Sequence, residues 1–208
     1  MRTKTLILTA VLSAACIATA VAQTVYSVNA VGFVNVDLKP GFNMVANPLD
    51  ATANTVLGLF GTALPEGSIV YKYASGTGFS VNAFEFGEWG QPAQTLNPGE
   101  GAFVFIPGTA TVKVTFVGEV KQGHLVTPVP AGFSIKASQV PQEAQLDTVL
   151  GFPTAEGDQV YLWKGSGYST HSFEFGEWNI PPVPKVGEAF FVSKLAATDW
   201  VRDFSVNQ

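Results

Sequence analysis

Hydrophobic and polar positions alternate along most of this chain. Val34, Val36 and Leu38 alternate with Asn35 and Asp37, and Val112, Val114 and Phe116 alternate with Lys113 and Thr115. Ile69, Tyr71 and Tyr73 form a third such run, with Val70 and Lys72 between them. A period of two is the signature of a strand with one buried face. Glycine-rich turns at 74–78, 97–101, 107–108 and 165–167 separate the runs. Two stretches, 54–60 and 142–150, could each hold a short helix of about two turns. The proline-rich run 180–184 predicts a loop, because proline cannot donate to a sheet ladder.

The pattern occurs twice. The hexapeptide FEFGEW stands at 84–89 and again at 173–178. Matching blocks surround it in the same order. Pro40-Gly41-Phe42-Asn43 corresponds to Ala131-Gly132-Phe133-Ser134, and Thr55-Val56-Leu57-Gly58 returns as Thr148-Val149-Leu150-Gly151. Glu66-Gly67, Val70-Tyr71 and Tyr73 return as Glu156-Gly157, Val160-Tyr161 and Trp163. Gly99-Glu100 and Ala102-Phe103 align with Gly187-Glu188 and Ala189-Phe190, and Val114 aligns with Arg202. Ordered matches of this kind imply duplication of a small domain, since the period is too long for a solenoid. The expected fold is all-β: two homologous small antiparallel β-sandwich or barrel modules in tandem, each with at most one short helix. Copy one spans 23–118 and copy two 119–208. The short join predicts that the copies pack together, either as separate modules or as one pseudo-symmetric sandwich.

Residues 1–22 read as a secretory signal peptide: Arg2 and Lys4 are basic, 6–12 is apolar, and Ala20-Val21-Ala22 is a small-x-small cleavage site. A lipoprotein signal at Cys16 is the second reading. The expected location is therefore extracellular, cell-surface or periplasmic, with no transmembrane segment in the mature chain. Cys16 is the single cysteine, so cleavage would leave no thiol for disulfides or metal. Removing Arg2 and Lys4 lowers the net charge from −5 to −7. An acidic chain with no basic cluster argues against nucleic acid and anionic membranes as partners.

The order of motifs carries a resemblance. A Pro-Gly-Phe-Asn-x-Val-x-Asn-Pro-Leu strand at 40–49 precedes a Val-Tyr-x-Tyr and Gly-x-Gly-Phe hairpin at 70–79. A Leu-x-Pro-Gly-x-Gly-x-Phe-Val hairpin follows at 96–104. This is similar to the all-β module of bacterial secreted and surface proteins typified by "GWNLISLP…VYxY…LxPGxGYW". Phe42 stands where that module has Trp, and Phe103-Val104 where it has Tyr-Trp. The start YSVNAVGFVNV resembles those of uncharacterised secreted proteins of Verrucomicrobia and relatives. The resemblance implies an accessory domain and transfers no catalytic residues.

FEFGEW is the sharpest candidate for chemistry. On a strand, Phe84 and Phe86 would share one face and Glu85 the other, with Gly87 re-aiming Glu88 and Trp89. Exposed indoles beside carboxylates suit sugar binding, which makes Glu85, Glu88, Trp89, Glu174, Glu177 and Trp178 the candidate binding residues. The simpler reading puts Phe84, Phe86 and Trp89 in the core with the glutamates in solvent. A glycoside hydrolase would need paired carboxylates across a cleft, and a spacing of three does not supply that. His124 and His171 occupy unrelated places in the repeat, so no metal or triad is expected. The turn carboxylates Asp37, Asp50, Glu66 and Glu100 lack calcium-loop spacing. A membrane β-barrel fits poorly with the short strands. The expectation is a non-catalytic structural or interaction protein of the cell surface, envelope or matrix, with no cofactor. Its partner would be a surface or matrix protein or glycan, and self-association is a further option. A carbohydrate-binding module is the alternative. The discriminating observation is whether Trp89 and Trp178 are exposed.

Overall fold

The computed structural model describes residues 30–206. The signal-peptide and lipoprotein readings at 1–22 lie outside the described residues. The first half contains β1 (Val31–Leu38), β2 (Gly41–Ala46), α1 (Val56–Phe60), β3 (Ile69–Ala74), β4 (Gly78–Glu85), β5 (Glu88–Trp89), β6 (Gly101–Ile106) and β7 (Val112–Glu119). The second contains β8 (Gly123–Val129), β9 (Gly132–Lys136), β10 (Gln159–Trp163), β11 (Tyr168–Glu174), β12 (Glu177–Trp178), β13 (Phe190–Lys194) and β14 (Thr198–Phe204).

Both halves have the same antiparallel topology. A five-stranded sheet runs β2-β6-β3-β4-β5 in one and β9-β13-β10-β11-β12 in the other. A two-stranded ribbon, β1-β7 or β8-β14, covers one face of each. Each half is a small sandwich, and among the described residues no sheet closes into a barrel.

The alternation places the cores. In the first half Leu38, Val114 and Phe116 from the ribbon meet Val45, Val70 and Val104 from the sheet, with Phe60, Trp89 and Leu96 closing the ends. In the second half Val129 and Trp200 meet Val160, Phe190 and Val192, closed by Leu146, Leu150 and Trp178. On β3 the core residue is Val70; Ile69, Tyr71 and Tyr73 face the other way.

That other face forms the seam between halves. Met44, Ala46 and Phe103 pack on Ile135, Ala137 and Ala189, flanked by Tyr71, Tyr73, Trp163 and Phe191. Tyr73 meets Phe191 at 5.4 Å, and the equivalent pair Trp163 and Phe103 meet at 5.6 Å. The Ala46 amide donates to the Gly187 carbonyl at 2.9 Å, and the Ala137 amide to the Gly99 carbonyl at 3.1 Å. These are the same contact made twice with the copies exchanged, the mark of a pseudo-twofold axis. Gly101 lies on the seam, where an added Cβ would sit 2.4 Å from the Ala189 side chain.

Several sequence expectations need correcting. The stretch 54–60 does hold a helix, capped by Thr55, whose hydroxyl accepts from the Gly58 amide at 3.1 Å. The stretch 142–150 is a chain of turns instead. Its Val149 and Gly151 amides donate four residues back, to the Gln145 and Asp147 carbonyls, but the Leu150 amide reaches five back, to Gln145, so the turns do not line up into a regular helix. The repeat also aligns differently. Leu38 pairs with Val112 and Val129 with Thr198, so the counterpart of Val114 is Trp200 and that of Phe116 is Arg202. Gly41 pairs with Ile106 and Gly132 with Lys194, so Ala102 corresponds to Phe190 rather than Ala189.

Candidate functional site

The two FEFGEW segments are tight hairpins. Phe84 pairs with Trp89 and Glu85 with Glu88, leaving Phe86 and Gly87 as a two-residue turn; Phe173 to Trp178 repeats this. Both turn residues have positive φ: 55° and 81° in the first copy, 57° and 83° in the second. This is the turn type that matches strand twist, and it ordinarily takes Asn-Gly. A phenylalanine there is strained by roughly 1–2 kcal/mol.

The turn is held from below. The Glu66 carboxylate accepts the Phe86 amide at 2.8 Å and the Gly87 amide at 2.6 Å. Glu156 accepts the Phe175 and Gly176 amides at 2.9 and 2.6 Å. The two donors that a strained turn would otherwise leave to solvent thus bind one anion, a strong charge-assisted arrangement.

The result is an apolar tip in an acidic collar. Phe86 is 97% and Phe175 96% exposed. Glu85 and Glu88, or Glu174 and Glu177, flank each ring and are exposed. The expectation that Phe84 and Phe86 share a face is therefore overturned, because the turn begins at Phe86 and reverses its direction. For the same reason Phe86 does not fill the core. Phe84 does, against Trp89 at a ring separation of 5.1 Å.

The tryptophans lie inside. Trp89 is 4% and Trp178 7% exposed. Trp89 Nε1 donates to the Gly61 carbonyl at 2.8 Å, whereas Trp178 Nε1 has no partner among the described residues. Their indole faces are packed in the cores, the arrangement expected of structural residues. Glu85 and Glu88 stand side by side on a projecting hairpin, as do Glu174 and Glu177. Three grooves of about 600, 490 and 290 Å³ open on the described residues, and none of these glutamates lines them.

The other candidate residues have local roles. His171 is buried; its Nδ1–H donates to the Ile180 carbonyl at 2.7 Å. Its counterpart Asn82 makes the same bond to Gln91 at 2.8 Å. His124 pairs with Asp203 at 2.9 Å on the surface. Asp37 faces Lys113 at 3.7 Å, Asp50 accepts from Asn54 at 2.6 Å, and Glu100 binds Lys72 at 3.0 Å.

Sequence reasoning missed three features: the tip phenylalanines, their Glu66 and Glu156 clamps, and the aromatic outer face. That face links eleven rings among the described residues into one network, running from Phe105 and Phe42 through Tyr71, Phe79, Tyr73, Phe103, Phe191, Phe133, Tyr161, Tyr168 and Trp163. A usable signal for the tips was the mirrored flank, Phe-Glu before and Glu-Trp after a two-residue centre ending in glycine.

Among the described residues no helix is long and apolar enough to cross a membrane. Comparison with protein-family models, curated proteins and solved structures finds no match. The resemblance drawn above from motif order therefore stands on those motifs alone.

Proposed function

We propose that this protein is a non-catalytic interaction module of the cell surface, envelope or extracellular matrix, which engages its partner through the two Phe-tipped hairpins. One observation carries the reading. Two strained, almost fully exposed phenylalanines are each held in place by a dedicated glutamate, in both halves, although the halves differ elsewhere. Strain of this kind persists where the surroundings over-determine it, and it clusters at contact and switch sites. A large exposed ring on a rigid support is also the residue type that dominates binding at interfaces. The acidic collar favours a partner surface that is apolar at its centre and basic around it.

Replacing both tip residues, as Phe86→Asn with Phe175→Asn, tests the reading. Asparagine accepts the left-handed backbone, so the fold is kept while the contact is removed. Expressing cells should retain much less of the variant in their surface fraction than of the wild type, with an unchanged or higher melting temperature. Equal retention of both proteins would overturn the proposal.

A further inference from the structure

The molecule carries a surface that complements its own tips. A groove of about 600 Å³ opens along the seam between the halves. Pro40, Phe42 and Trp163 give it accessible apolar lining, and Lys39, Lys164 and Lys185 also line it. The Trp163 indole N–H donates to the Phe42 carbonyl at 2.8 Å and ties the two walls together. Two carboxylates also line it, and both are already engaged: Asp37 lies 3.7 Å from Lys113 and Glu188 3.9 Å from Lys164. Among the described residues Lys39 and Lys185 are exposed and have no carboxylate partner within 4.0 Å.

The lysines are specific to this groove. Strand register makes Pro130 the counterpart of Lys39 and Ala74 that of Lys164. Asn97 takes the place of Lys185, since Gly99 and Gly187 make the equivalent seam contacts. The pseudo-equivalent positions therefore lack these three cations and carry one other, Lys136, in the place of Val45. Three of the chain's 11 Lys and Arg converge on one groove, while six of its 16 Asp and Glu surround the two tips.

We propose that the tip of one molecule docks in the seam groove of a second copy of this chain, so that copies join head to tail. The phenylalanine enters between Pro40, Phe42 and Trp163, and the glutamates of the collar meet Lys39, Lys164 and Lys185. A molecule cannot reach its own groove. The first tip lies in the β4–β5 turn, three to four strands across the sheet from β2, roughly 14–19 Å at the spacing of a sheet. The second lies at the far end of β11 from Lys164, a strand of seven residues. The contact joins two different surfaces, so a head-to-tail chain of such contacts forms a ring or an open filament. With two tips and one such groove, each subunit keeps one tip free for another partner. The contact is smaller than a standard interface, so association is weak in dilute solution.

This inference rests on the reading of the tips as contact elements, and the experiment separates the two. Sedimentation of the purified protein over a concentration series should show average mass rising with concentration. The rise should be weaker in about 1 M salt than in about 0.05 M, because rim charges are screened. Phe86→Asn with Phe175→Asn, and separately Lys39→Glu with Lys185→Glu, should each reduce the association constant about tenfold or more. Lys39 and Lys185 are exposed, so the second variant keeps its fold. A variant with Glu85, Glu88, Glu174 and Glu177 all changed to Lys should bind the Lys39→Glu, Lys164→Glu, Lys185→Glu variant on mixing, although neither self-associates. A protein that stays monomeric at every concentration, or whose association ignores both variant sets, overturns the inference. If the tip variants still lose surface retention in that case, the proposed function stands and only the self-docking falls.

Discussion

The two halves share every strand, yet they solve one buried position with different chemistry. In the first half Ser68 precedes β3 and Ile106 ends β6, and both are buried. Their counterparts in the second half are Asp158 and Lys194, also buried and joined as an ion pair. Lys194 additionally donates to the Pro153 carbonyl at 2.7 Å, lies 5.4 Å from the centre of the Phe152 ring, and Asp158 accepts the Ala155 amide at 2.8 Å. Neither charge could be accommodated without the other, so the positions differ as a pair. The same exchange of residue with retention of role occurs where Asn82 becomes His171. It occurs again where Asn47 accepts the Leu49 amide and Ser138 accepts the Val140 amide, both at 3.2 Å. What the duplicated backbone requires is a donor or acceptor at a place, not a particular side chain.

The largest break in this comparison comes from splitting the buried pair. Asp158→Ala leaves the Lys194 ammonium buried beside an aromatic ring and should cost about 3–5 kcal/mol. Asp158→Ser with Lys194→Ile transplants the first half's solution into the second. It should be neutral or gain about 1–4 kcal/mol, since an apolar pair of similar volume often outperforms a buried ion pair. Equilibrium urea unfolding measures both. A double variant as unstable as the single one would mean that the ion pair organises the second half in a way the first half does not need.

The core tryptophans should respond unequally. Trp89→Ala removes a ring packed on Phe60 and Phe84, and should cost about 3–5 kcal/mol. It also releases the bond to the Gly61 carbonyl. Trp178 packs on Phe173 at 5.3 Å and has no such bond. Its replacement should cost about 1 kcal/mol less. Equal losses would show that the bond to Gly61 adds nothing net.

The fold class was legible because strand periodicity survives without any knowledge of partners. Alternation cannot say what the second face meets, however. Tyr71, Tyr73 and Phe103 read as ordinary strand residues, and only the seam explains them. The alignment slip at Arg202 has a similar origin. The turn before β7 has five residues and the one before β14 has three, so the true offset changes by two. A shift of two keeps every residue on its face, which is why Val114 against Arg202 looked plausible. The tips were missed for a different reason, although the mirrored flank around Phe86-Gly87 carried a signal. No propensity rule places phenylalanine at positive φ, so Phe84 to Phe86 read as strand with the break only at Gly87, while the simpler reading placed the glutamates in solvent, where they stand.

The tips sharpen the comparison from the opposite side, since here the halves should agree. Phe86→Gly and Phe175→Gly each relieve a left-handed phenylalanine and should each stabilise the protein by about 1 kcal/mol, with nearly equal shifts in thermal midpoint. A gain in one half alone would mean that the two hairpins are not equivalent supports.

The smallest expected effect concerns Lys136, which occupies the core-facing position that Val45 holds in the first half. Desolvation by burial holds its pKa below the ordinary lysine value; Glu100 opposes this and the nearby Lys72 adds to it. The folded protein therefore binds this proton less tightly than the unfolded chain does. The penalty is present in full below the folded pKa and disappears as pH rises to the unfolded value, near 10.4. Lys136→Met removes the penalty and fills the site with apolar volume. It should raise stability at pH 7 by only about half a kcal/mol, because solvent still reaches the amine. The advantage should narrow as pH climbs through the lysine range, as read from urea midpoints of both proteins at each pH. A loss at pH 7 would instead mean that attraction to Glu100 outweighs desolvation, and that the cation at this position contributes to holding the seam together.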